Sequence, residues 1–282
     1  MVLESITNPF RAKKRPWEMF FLGFVYSSIA LFLGNWIFKD QASLVMIFII
    51  VVVCVPLMYF TLKAEEKKSA EIRDEVAVLK EHKKALNFMM FLFLGFVVAF
   101  VLWYCVLPAS LVESSFRYQT DTIQRINSQI VGAHSSLGTF MYIFMNNIKV
   151  MIFCVLFSFL FGAGAIFILT WNASVIAAAI GNFIRTNLTT YAGKAGFGKV
   201  SSYFHIISLG LFKYAIHGIP EIAAYFVAGI AGGIISVAVI KESFGTKKFS
   251  KIVLDSSDLI LIAVLLLVVA ALLEVYITPI IF

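Results

Sequence analysis

Charge is scarce in this chain. Only 14% of its 282 residues are Asp, Glu, Lys or Arg, against 61% hydrophobic residues, and the mean hydropathy is +0.93. That balance excludes an ordinary soluble globular protein. Cysteine is confined to Cys54, Cys105 and Cys154, each inside an apolar run and too scattered to share a metal ion. The four histidines, His82, His134, His205 and His217, form no HExxH pair, GxGxxG is absent, and GKAGFGK (193–199) is not a phosphate-binding loop. We therefore expect no metal, no cofactor and no enzymatic activity. The strict apolar–polar alternation of a membrane barrel is also missing. What remains is a set of uninterrupted apolar runs long enough to cross a bilayer, and the expected fold is an all-α, polytopic transmembrane helix bundle of six to seven spans.

Basic residues are unevenly placed. RAKKR (11–15), residues 63–84 and KESFGTKKFSK (241–251) together carry fifteen of the twenty-three Lys and Arg. The positive-inside rule puts all three in the cytoplasm. A multi-pass protein of the cell membrane is expected, with its N-terminus inside, its C-terminus outside and anionic lipid headgroups as default partners. Mixed charge signs in 63–84 exclude a nucleic-acid arm. The first apolar run is too long for a cleaved leader and lacks a small-residue cleavage site, so it is expected to stay as a span.

One membrane domain, 1–282, is expected. Residues 17–62 form a helix hairpin, with Trp17 and Trp36 as interfacial anchors and Pro56 as a kink in its second span. Residues 63–84 form a charged helical loop with a narrow stripe of Ile72, Val76 and Leu79. The core, 86–282, opens with a span ending at Pro108, followed by an outer segment, 108–138. There Phe116, Ile123, Ile126 and Ile130 share a face, as in an amphipathic helix lying on the membrane or holding a partner. A long fourth span, 139–169, carries Asn146, Asn147 and Lys149, with Gly162 and Gly164 thinning it for close packing. Residues 171–188 read as a short span or a re-entrant helix. In the last span, Glu274 stands near the outer end.

The most informative stretch is HGIPE (217–221). Pro220 followed by Glu221 suits a helix start, and Gly218 a sharp turn, so a broken or re-entrant helix is expected around 201–220. His217 and Glu221 would then meet only if the chain turned back at Gly218. With Asn146, Asn147 and Lys149 they form the expected intramembrane polar site. Downstream, Gly229 and Gly233 make a GxxxG face for packing within the chain or across a homodimer, and the homodimer is the expectation.

Asn146-Asn147, Gly162 and Gly164, Asn172, and then His217-Gly218 with Glu221 before a glycine-rich helix together resemble the stage II sporulation protein M family, over roughly residues 90–282. The family's usual Asn-Gly after the fourth span is Asn172-Ala173 here. The resemblance implies a multi-spanning protein without established catalytic activity, which in spore-forming bacteria holds cell-wall hydrolases at the engulfing membrane. The function expected here is a membrane scaffold organising a membrane or cell-envelope complex with protein partners. The alternative is a secondary transporter or channel using the polar site around HGIPE.

Overall fold

The computed structural model describes residues 9–72, 75–131, 135–161, 165–190, 197–241 and 245–281. No strand occurs among them. A short helix, α1 (Pro9–Lys14), leads into α2 (Pro16–Ile37), which opens on a proline that needs no amide partner. A 3₁₀ turn at Lys39–Gln41 connects to α3 (Ala42–Glu71), and α4 (Glu75–Val106) returns. Next come α5 (Ala109–Val131), α6 (Ser136–Phe161), α7 (Ala165–Thr190) and α8 (Phe197–Lys241). The chain ends with α9 (Lys247–Leu272), a π-helical turn at Leu273–Ile277 and α10 (Thr278–Ile281). Thr246 caps α9 by accepting the Phe249 amide at 3.2 Å, just after Gly245 takes a φ of 81°. Among the described residues, seven helices are long and apolar enough to cross a membrane.

The bundle is built around α8. Its apolar stretch is 83% buried, against 22% for the corresponding stretches of α6 and α9. Glycines let its neighbours approach. A Cβ on Gly232 would stand 2.6 Å from the Val155 carbonyl, one on Gly229 3.0 Å from Ala165 Cβ, and one on Gly233 2.5 Å from the Leu62 side chain. The faces of Gly229 and Gly233 are thus filled by α7 and α3 of the same chain, and a homodimer would have to use another surface. At a second close crossing, Gly23 of α2 and Gly95 of α4 meet backbone to backbone, a contact the sequence reading passed over.

Three expectations change. The break around 201–220 is absent: α8 runs through Gly218 and Pro220 as one 45-residue helix. Proline removes one i→i−4 hydrogen bond, here from the Ile216 carbonyl, and the helix continues through it into the buried stretch from Ile222 onward. The long fourth span is two helices, α6 ending at Phe161 and α7 beginning at Ala165. Residues 171–188 therefore belong to a full span that starts earlier. Gly162 and Gly164 lie outside the described residues. Lastly, 63–84 is not one solvated helix: α3 ends at Glu71, where Ile72 turns extended, and α4 has begun by Glu75.

Candidate functional site

On a continuous α8, Tyr214, His217, Glu221 and Tyr225 follow one another at three- and four-residue intervals and so share a face. His217 and Glu221 are therefore at i, i+4 after all. Tyr225 is fully buried and donates its hydroxyl to Glu221 Oε1 at 2.8 Å. Facing them is the π-helical turn at the end of α9. Its wider turn, closed by the Thr278 amide on the Leu273 carbonyl, re-aims the side chains that follow. Glu274 in this turn lies within electrostatic reach of Glu221, Tyr214 and Tyr225. Thr278 Oγ1 stands 3.4 Å from His217 Nδ1, and the Tyr214 ring lies edge-on to His217 at 6.3 Å between centroids. From α6, Cys154 reaches the same region, within electrostatic range of Tyr225.

No Lys or Arg among the described residues forms an ion pair with Glu221 or Glu274. Lys213, one turn before His217, lies instead over the Phe183 ring at 5.6 Å. Two carboxyl groups on facing elements without a basic partner repel one another when both are ionised.

The other expected members of the site are placed differently. Asn147 faces the interior at 5% exposure, with Ile143, Met151, Cys154 and Ser158 along the same stripe, and its Nδ2 has no hydrogen-bond partner. Asn146 is half-buried, and Lys149 is exposed on the outward face of α6. Neither bonds to His217 or Glu221, whose partners are Thr278 and Tyr225. Glu274 and Tyr225 were missed as partners. The four-residue step from Glu221 to Tyr225 was a usable signal, but only once the helix is known to be unbroken.

A second buried charged cluster lies where α3 and α4 leave their apolar stretches. Glu65, with no exposed side-chain surface, accepts from Lys13 and sits 2.7 Å from His82 Nδ1. His82 Nε2 reaches Ser69 Oγ at 3.2 Å, and Lys68 joins Glu65 to Glu81. Burial pulls the Lys13 ammonium below its ordinary value, partly offset by Glu65. Lys241 at the end of α8 pairs with Glu66 at 2.7 Å, and Lys251 donates to the Ile72 carbonyl. Residues read as a solvated loop are in fact a five-helix clasp.

At the opposite end, α5 is tied down by side chains. Asn35 bonds both Ser115 (2.6 Å) and Ser114 (2.7 Å), while Gln119 accepts from Ser43 at 2.5 Å and donates to Ser174 at 3.0 Å. Phe116 is fully buried between Phe100 and Tyr104, and Ile123 packs beside the core. The apolar face of α5 is thus spent on the bundle, at least as far as Ile123. Arg185 of α7 donates to the Tyr104 and Leu107 carbonyls at the end of α4. A cavity of about 400 Å³ opens between α4, α5 and α7.

Seven apolar helices around a buried polar pair define a helical, multi-pass membrane protein. Within that class, the family model of Stage II sporulation protein M matches residues 47–279, and the chain belongs to this family. The match starts well before residue 90 and takes in the second span. No curated protein and no solved structure matches the chain.

Proposed function

We propose that this protein is a membrane scaffold that organises a membrane or envelope complex and has no catalytic activity of its own. The observation that carries this reading is the clamping of α5. Its inward face is fixed by Ser115, Phe116 and Gln119, so that Gln124, Arg125 and Asn127 point outward from a rigid platform. With seven spans and the basic segments inside, this platform stands on the outer face, the N-terminus inside and the C-terminus outside. Labelling a single cysteine at position 67 from either side checks the orientation, and outside-only labelling would overturn it. The glycine faces being occupied, we place a homodimer on the outward apolar faces of α6 and α9, around Met145 and Leu265. Photo-crosslinkers at Gln124 and Asn127 in native membranes test the scaffold. Discrete adducts with one or a few proteins support it, and a free α5 rules it out.

A second reading rests on the uncompensated Glu221–Glu274 pair, which a scaffold does not require. In that reading the protein passes protons or cations across the membrane. Proteoliposomes of the parent and of Glu221→Gln separate the two: a transporter shows flux that the variant loses while staying folded, whereas a scaffold shows no flux in either.

A further inference from the structure

The 400 Å³ cavity between the ends of α4 and α7 and the start of α5 is lined by two acids, Glu113 and Asp121, and two arginines, Arg117 and Arg185. No two of these four form an ion pair. That is unexpected on sequence grounds, because Glu113 and Arg117 stand four apart on one helix, the spacing that ordinarily joins opposite charges. The reason is local. Phe116 sits between them with φ −125° and ψ 18°, a kink that breaks the helical register as the ring turns into the core between Phe100 and Tyr104. Arg185 is held on its far side by the Tyr104 and Leu107 carbonyls, at the negative end of the α4 dipole. One edge of its guanidinium is thereby committed, and its position is fixed. Tyr104, 7% exposed, and Thr120 add hydroxyl groups to the wall.

A cavity with balanced charges that do not cancel one another is suited to a ligand that also carries both signs. We infer that it binds a compact zwitterion of the phosphoethanolamine type. Arg117 and Arg185 receive the phosphate, for which two guanidinium forks are well matched, and Glu113 and Asp121 receive the ammonium. The place agrees with the chemistry, since the cavity lies where α4 and α7 leave their apolar stretches, at the level where headgroups begin. The same group is available from a zwitterionic lipid headgroup or from a free solute.

The test uses the full-length protein in detergent, freed of lipid, titrated calorimetrically with phosphoethanolamine, inorganic phosphate and ethanolamine. Phosphoethanolamine is expected to bind at least tenfold tighter than either single-charge compound. Arg117→Ala and Asp121→Ala, neither of which loses an ion pair, should each weaken binding tenfold or more without moving the melting temperature. Native mass spectrometry from nanodiscs of phosphatidylethanolamine and of phosphatidylglycerol identifies the source. Retention of phosphatidylethanolamine alone, lost in both variants, supports the lipid headgroup even if the free compound binds weakly. The proposal is overturned if phosphate alone matches phosphoethanolamine, if both variants bind as the parent does, or if neither the free compound nor the lipid is held.

Discussion

Two groups of acids in this molecule are treated in opposite ways. Glu65 is surrounded by His82 and Lys13, with Lys68 a little farther off, and Glu66 faces Lys241. Glu221 has a tyrosine hydroxyl and, nearby, another acid. Low dielectric makes an uncompensated charge expensive and a compensated one rigid. The first group is therefore a clasp, which locks α1, α3 and α4 together and α8 to α3. The second has a tyrosine hydroxyl as hydrogen-bond partner and, among the described residues, no ion pair with Lys or Arg.

The contrast can be broken most severely at Glu65. Glu65→Ala leaves His82 and Lys13 facing an empty place, and loss of about 3–5 kcal/mol of stability is expected. Thermal unfolding in detergent measures it, and a loss below about 1 kcal/mol would remove the clasp. Next comes a steric change farther along α8, without any change of charge. Gly232→Leu forces the Val155 backbone away from α8, for about 1–3 kcal/mol of overpacking. If it also abolishes any flux, helix spacing matters there as much as the acids do. Tyr225→Phe removes one hydrogen bond to Glu221 and should cost about 0.5–1.5 kcal/mol. Smaller again is Lys241→Ala. Its side chain is 38% exposed, so parting it from Glu66 is worth about 1 kcal/mol or less. The least change in stability is expected from Glu221→Gln together with Glu274→Gln, because no cation is orphaned. Unfolding as severe as that of Glu65→Ala would make the pair a structural one.

Much of this was legible in the sequence. Apolar run lengths determine the class of fold. His217 and Glu221 stand out because polar groups in an apolar run need a reason. Pro220-Glu221 misled because proline and an acid mark a helix start when a helix begins in water. Inside a packed bundle the same two residues cost one hydrogen bond and leave the helix whole. Glu274 was visible, but nothing in a single sequence shows that a π-helical turn aims it at α8. The clasp was hidden for a related reason: Glu65, Glu66 and His82 have the composition of a wet loop, and only the pairing of distant helices makes them interior.

The length of α8 has a consequence for the lipid around the protein. Forty-five residues at 1.5 Å each make a rod of about 68 Å, over twice the roughly 30 Å of a bilayer's hydrocarbon. Its lower end is pinned by Lys241 to Glu66. Glu221 stands twenty residues above that pin, from 221 to 241, or about 30 Å, one hydrocarbon thickness away. Where the Lys241–Glu66 pair marks one edge of the hydrocarbon, the acids stand at the other edge, so that a few ångströms of bilayer thinning would hydrate them and a few of thickening would seal them.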